Sequence, residues 1–443
     1  MVARPTPSRQ LEQRTGLVVG QAVRHGNLTI FPVYSLLPRD SDRFITLDEG
    51  LKAGTVEIRE TGSVQAANNA PQPVLPQHAA PQYAPPTATD PFLEDGPANQ
   101  AAAVADFETL VDLAGGSSSW SGNDVNRLLV VNRSDKPLYL MPGEILLGGD
   151  QDRTVGQELV IAPSQEPVPI DVFCVEHGRW GQRDAAEWDG YLQTGSSGQI
   201  SGFSTNLSLV VSQTQDVRPE SWTDAAIAET RSGKFIGSVG SLSKSARMAV
   251  QADQEQGKVW DEVASENAKA GVRSGSGAFT GNYAEAEAVR RLEPYLESLR
   301  RPIADIPKVV GVIVAVNGKL ESLDVFESTP LFRKLWPKLL KSYALDAANA
   351  QSPDVKPKSC TQGDAVAFFH RASHSQPQKS ESKSGMETLV NDTDDVLLFS
   401  AREAQPAQRP FATQISGLSI DEVAAPTVSF GGAIHSAGYA KKK

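Results

Sequence analysis

The stretch from Asn126 to Trp180 constrains the fold most. Its apolar runs Leu128–Val131, Leu138–Met141, Glu144–Leu147, Leu159–Ile161 and Ile170–Val175 are each of strand length and too short for helices. Between them lie turn residues: Ser134-Asp135, Pro142-Gly143, Gly148-Gly149 and Pro163-Ser164. Short strands at this spacing predict consecutive antiparallel strands of a small sandwich or barrel. One turn, Gly148-Gly149-Asp150-Gln151-Asp152-Arg153, concentrates polar groups in an otherwise apolar stretch. The mouth of a β scaffold is where a binding site is expected.

The flanking sequence extends this into an α+β chain: a β-rich, sandwich- or barrel-like N-terminal half packed on an α/β C-terminal half. Residues 1–15 read as a disordered arm. The β-rich domain spans 16–211, with Leu28–Tyr34 as a strand whose Pro32 argues for an edge or a bulge. Thr46 or Asp48 would cap a short helix closed by Gly54. A Pro/Ala/Gln-rich insertion at 65–122 interrupts this domain, with eight prolines between Pro71 and Pro97. Such a segment cannot bury enough surface to offset its ordering entropy, and disorder is expected.

The second domain spans 222–400. Lys244–Ala270 reads as one helix with a Schellman stop at Gly271-Val272, and Tyr283–Leu299 as another with a kink at Pro294. Val309–Val316, Asn317-Gly318 and Lys319–Phe326 form the clearest local signal, a hairpin through a type I′ turn. Its first arm is apolar on both faces and belongs in the middle of a covered sheet. A helix capped by Thr329 follows, with Pro330 at its first position and a bend at Pro337. Ala365–Phe369 and Val396–Phe399 read as strands with a mobile loop, Ser373–Gly385, between them. The polar residues 401–443 read as a disordered tail.

Composition narrows the function classes. The 443 residues carry a net charge of −11, which argues against a broad nucleic-acid or anionic-membrane surface. Two distant cysteines, Cys174 and Cys360, exclude a disulfide framework and suit a reducing, cytoplasmic setting. No run approaches a membrane-spanning length, and no P-loop, Rossmann glycine pattern or nucleophile elbow occurs. His370 and His374 lack a completing carboxylate or cysteine, so no metal and no cofactor is expected.

The candidate ligand-binding residues are Gly148, Gly149, Gln151, Arg153 and Arg179. The glycines would let a ligand approach the backbone, and the arginines offer planar forks to phosphate. The competing reading is a tight turn in which Arg153 pairs with Asp150, Asp152 or Glu144. Glu144 and Glu176 are the candidates for a general base. Strand alternation puts His177 on the face opposite Cys174, so the thiol reads as buried and structural rather than nucleophilic.

The motifs NLTIFPVYSL, LDEGLKAG, VNRSDKPLYLMPGE, GGDQDR, PIDVFCVEHGRW, VWDEVA, VNGKLESLDVF and LFRKLWPKLLKSYALDA occur in that order. From Asn27 to Ala348 the chain resembles the bacterial domain family named for association with ADP-ribosylglycohydrolases and rhodanese-phosphatases, a domain of unknown function. The resemblance implies a setting in NAD and ADP-ribose metabolism. The family pattern implies a basic residue where this chain has Asp150, while Gln151 and Arg153 match it. Three function classes follow. One is a ligand-binding or accessory module for a nucleotide-derived small molecule such as ADP-ribose. Another is a hydrolase or transferase on a related substrate, and the third a scaffold that meets a protein partner through the Pro-rich loop.

Overall fold

The hairpin at Asn317-Gly318 lies at the centre of the largest sheet. The computed structural model describes residues 15–60, 126–178, 235–273, 275–351, 359–374, 377–404 and 433–441. The insertion at 65–122, Arg179, the strand expected at Leu207–Val211 and the helix expected near Trp222 lie outside these residues.

In chain order the described elements begin with β1 (Leu17–Val19), β2 (Val23–His25), β3 (Leu28–Ser35), β4 (Ile45–Thr46), α1 (Leu47–Lys52) and β5 (Val56–Glu60). Next come β6 (Arg127–Asn132), β7 (Leu138–Leu140), β8 (Glu144–Gly148), β9 (Arg153–Val155), β10 (Leu159–Ile161), β11 (Val168–Cys174) and β12 (Phe235–Ser241). The helical part holds α2 (Lys244–Met248), a π-helical turn (Ala249–Asp253), α3 (Gln256–Ala270), α4 (Gly281–Ala284) and α5 (Ala286–Ala304). It is followed by β13 (Val309–Val316), β14 (Lys319–Phe326), α6 (Thr329–Asn349) and α7 (Gln362–His374). The strands β15 (Lys379–Lys383), β16 (Met386–Asp392), β17 (Val396–Glu403) and β18 (His435–Ala440) close the chain.

These elements form a mixed α+β fold. A nine-stranded sheet runs β1-β3-β13-β14-β18-β17-β16-β15, with β2 also on β3. Strand β13 alternates between two cores. Val312 and Val314 face the helices α5 and α6, while Val310, Ile313 and Ala315 face α7. The first three strands therefore join the C-terminal hairpin in one sheet, so the strand pairing crosses the division expected between the halves. The six-stranded sheet β12-β8-β9-β11-β6-β5 and the three-stranded sheet β10-β7-β4 share a separate core of Leu128, Val130, Leu138, Leu140, Leu146 and Val172. The five strands expected between Leu128 and Val175 are among them.

Pro32 is interior rather than on an edge. Its carbonyl accepts the Gly20 N–H at 2.7 Å, so its missing N–H faces the gap between β1 and β2, where no partner is required. The turn at Asn317 (φ 51°) and Gly318 (φ 74°) has the two positive angles of type I′. Gly311 is needed for close approach: a Cβ there would lie 2.3 Å from the Asp324 carbonyl oxygen on β14.

Several expectations are corrected. The cap of α6 is Ser328, whose hydroxyl accepts the Leu331 N–H at 3.3 Å, and the helix continues through Pro337. Ala365–Phe369 lies in α7, not in a strand. Ala365, Phe368, Phe369 and Ala372 form a buried stripe at helical spacing, and Thr361 and Asp364 cap the helix reciprocally. The loop expected at Ser373–Gly385 contains β15. Within the tail expected to be disordered from 401, His435–Ala440 forms β18, between β14 and β17. Small residues such as Ala437 and Gly438 hide that strand from a hydrophobic pattern, yet all six of its residues are buried. The helix expected over Lys244–Ala270 breaks at Gln254, which is left-handed (φ 54°) and ends the π turn. No helix among the described residues is long and apolar enough to cross a membrane.

Candidate functional site

The GGDQDR turn is folded in on itself. Gly148 (φ 136°) and Gly149 (φ 58°) end β8, and a Cβ on Gly149 would lie 2.6 Å from Glu60 Oε1 and 2.8 Å from the Phe235 ring. The close approach that demands glycine is thus made by the protein's own carboxylate. The Asp150 N–H donates to Glu60 Oε1 at 2.8 Å. Gln151, Asp152 and Arg153 are buried. Arg153 Nη1 donates to Gln151 Oε1 at 2.9 Å, and its Nη2 lies 3.8 Å from Glu60 Oε1. Cys174 Sγ donates to the same Gln151 oxygen at 3.1 Å, and burial pushes the thiol's pKa up. Burial, reinforced by the charge of Asp150 and opposed by Arg153, also raises the Glu60 carboxyl to about 7.

Of the other candidates, Glu176 is buried and accepts the Asp152 N–H at 3.0 Å, which ties it to the same turn. Glu144 points elsewhere, into an ion pair with fully buried Lys338, which also meets Asp48 at 2.9 Å. Gln151, Arg153 and Glu176 therefore converge, whereas Glu144 does not. His177 packs edge-on against Trp260, 4.5 Å between ring centroids.

A second polar cluster, not anticipated from the sequence, runs through the centre of the molecule. Asp324 on β14 receives Arg247 Nη2 at 2.5 Å and Nη1 at 3.2 Å, together with the Tyr343 hydroxyl. Its Oδ1 meets His435 Nε2 at 3.0 Å. The other ring nitrogen, Nδ1, lies 3.1 Å from Glu158 Oε2, and the Tyr139 hydroxyl donates to Oε1. The imidazole stacks on Phe326, 4.2 Å between centroids and 6° from parallel. Gly143 (φ 79°) makes room for Arg247, since a Cβ there would lie 2.8 Å from its Cγ.

The charges in this line fix one another. Burial alone would lower the pKa of His435, but Glu158 and Asp324 outweigh it and raise it to about 9. Burial would raise Asp324, but Arg247 and His435 hold it well below the usual carboxylate range. At neutral pH the line is Arg⁺–Asp⁻–His⁺, and His435 presents its charge to Glu158.

Glu158 stands at the end of this line, on the wall of a cavity of about 390 Å³. Phe399 and Met386 give the cavity apolar surface, Gln251 and Gln254 come from the π turn, and Lys383 from β15. Gln251 Oε1 is held by the Tyr439 hydroxyl at 2.6 Å. A π turn, a left-handed non-glycine residue and the end of the buried charge line at Glu158 together mark this cavity as the candidate site. Among the described residues no group of three or more histidine, cysteine or carboxylate side chains is placed to hold a metal ion. Sequence reasoning missed Glu158 because it reads as one charge beside a strand, and His435 because it falls in the polar tail. Only the pairing of β18 with β14 brings His435 to Asp324.

The chain belongs to the ARG and Rhodanese-Phosphatase-superfamily-associated Protein domain family, which matches residues 16–75 and 117–405. The match covers β1 to β17, so Glu158, Arg247 and Asp324 fall within it and His435 beyond it. No curated protein and no solved structure matches the chain.

Arg153→Ala is expected to lower stability by about 1.5–3 kcal/mol, read as a drop in Tm, because it removes a buried charged partner of Gln151 and Glu60. An unchanged Tm would mean that Arg153 is free to serve a ligand. His435 gains protons on folding, so its stabilisation is complete below about pH 6.5 and is lost as pH rises through about 9. The amount is about 3 kcal/mol, because each tenfold gain in proton affinity is worth about 1.36 kcal/mol. Lys341, which burial pushes down to about 7, acts with the opposite sign above that pH. The informative quantity is therefore the difference in unfolding free energy between wild type and His435→Gln, which should shrink from pH 6 to pH 9.5. A difference independent of pH would contradict a charged His435.

Proposed function

We propose that this protein is a ligand-binding module for an ADP-ribose-type ligand, seated in the cavity at Glu158, and that it does not transform its ligand. The observation that carries this reading is the Glu158 carboxylate, held at the cavity wall by the Tyr139 hydroxyl and His435. An anchored carboxylate is suited to accept from the paired hydroxyls of a ribose, as acidic residues do in dinucleotide sites. Each of its oxygens keeps one acceptor position beyond the bonds described. The apolar surface of Phe399 and Met386 would cover a sugar or base face, and Lys383 would meet phosphate. The family's name, which links it to ADP-ribosylglycohydrolases, supports the choice of ligand class.

Binding is favoured over catalysis because the other candidate bases are already committed. His435 carries a proton between two carboxylates and has no free lone pair. Glu144 and Glu176, the bases an enzyme reading would use, are engaged in the interior. A general base needs a free lone pair aimed at substrate.

Calorimetry with ADP-ribose tests the reading. Glu158→Gln keeps the shape but removes the charge, and the loss of charge-assisted bonds of about 1.5–3 kcal/mol corresponds to roughly 10- to 150-fold in Kd. Arg153→Ala should leave that Kd nearly unchanged. No heat with ADP-ribose at millimolar concentration would remove this ligand class, and release of any product on incubation would replace binding with catalysis.

A further inference from the structure

The cavity at Glu158 has a neighbour of about 250 Å³, and the two share Gly156, Gln157, Gln254 and Lys383 on their walls. The shared residues form a waist. Gly156 packs closely on β11 there, since a Cβ would lie 3.0 Å from the Asp171 carbonyl oxygen and 3.2 Å from the Phe173 ring. Its backbone angle does not require glycine, so the requirement is one of space. Gln254, in the left-handed region at the end of the π turn, borders both cavities. A non-glycine residue held there is strained, and such strain is more readily retained at a working site than in an inert turn.

The two lobes differ in chemistry. The larger has the fixed Glu158 carboxylate. The smaller has Phe173, an incompletely buried aromatic ring on β11, with the Asp171 carboxylate and Asn126 beside it. Lys383, which lines both cavities, pairs with Asp171 at the junction.

We propose that the two cavities are one bipartite site for a ligand in which a purine nucleoside is joined through a diphosphate to a second ribose. The base lies in the smaller lobe against Phe173, the second ribose in the larger lobe at Glu158, and the diphosphate crosses the waist beside Lys383. This rests on the reading that Glu158 binds ribose hydroxyls, and adds to it the half of the ligand that sets specificity. Base–aromatic stacking tolerates any base, while a carboxylate at the rim favours one with an exocyclic amine. Asp171 supplies that preference for adenine over a base lacking the amine.

Calorimetry on the full chain with ADP-ribose, AMP, IMP and ribose 5-phosphate tests the assignment. ADP-ribose should bind more tightly than either AMP or ribose 5-phosphate, and AMP more tightly than IMP. Phe173→Leu keeps apolar volume but removes the ring. It should weaken ADP-ribose and AMP by roughly tenfold or more and leave ribose 5-phosphate unchanged. Glu158→Gln should do the converse, weakening ADP-ribose and ribose 5-phosphate but not AMP. A Tm for Phe173→Leu within a few degrees of wild type shows that the fold is intact. If ribose 5-phosphate binds through Glu158 but ADP-ribose binds no more tightly and ignores Phe173→Leu, the bipartite site is wrong and the ribose site stands. If Glu158→Gln changes the affinity of neither ADP-ribose nor ribose 5-phosphate, the ribose reading falls, and this proposal with it.

Discussion

Asp324 is a fully buried carboxylate, and the centre of the structure depends on its being paired. Taking an isolated carboxylate out of water costs several kcal/mol even after relaxation. Here Arg247, Tyr343 and His435 surround it, each from a different element. These partners fix α2 and α6 against the large sheet, and they fix β18 beside β14. Removing one member of such a cluster leaves an uncompensated charge, at a cost of about 3–5 kcal/mol. The cluster therefore specifies one arrangement of these elements. It also carries charge outward, since His435, protonated by its position between two carboxylates, presents that charge to Glu158 at the cavity wall.

The chain keeps its two polar clusters apart. At the GGDQDR turn, Glu60, Gln151, Arg153, Cys174 and Glu176 bind one another and hold β8, β9 and β11 together at their ends. At the cavity, polar groups point toward open volume and are backed by the buried charges. Both look alike in a sequence, as polar residues among apolar ones. What separates them is where the free faces of the side chains lie. The π turn contributes to that difference, because it ends α2 early and turns Gln251 and Gln254 toward the cavity rather than continuing into α3.

Much of the fold is legible in the sequence wherever local chemistry decides it. Asn317-Gly318 demands a hairpin, the all-apolar Val309–Val316 demands a central strand, and Gly271-Val272 stops a helix, with the Val272 N–H donating to the Asn267 carbonyl at 2.9 Å. The short strands between Leu128 and Val175 follow from their turns. The family is likewise legible from its ordered motifs. What escapes is set by distant partners. The helix α7 reads as a strand because Phe368-Phe369 suits one when its spacing to Ala365 and Ala372 is ignored. Strand β18 carries little hydrophobic signal, and only its two neighbours make it a strand. The charge line needs Glu158, Arg247, Asp324 and His435 from four separated segments, and no local pattern announces such a meeting. Among the residues chosen from the sequence, Arg153 and Gln151 do come together, in a buried turn.

A protonated His435 between Asp324 and Glu158 joins the buried charges to the cavity wall. The most direct measurement of it is ¹⁵N NMR of the histidine side chains across pH 6 to 10, with His435 assigned by comparison with His435→Gln. Both ring nitrogens of His435 should remain protonated at pH 7.5, with a midpoint near 9. A neutral imidazole at pH 7.5, with one ring nitrogen unprotonated, would contradict this arrangement of charges.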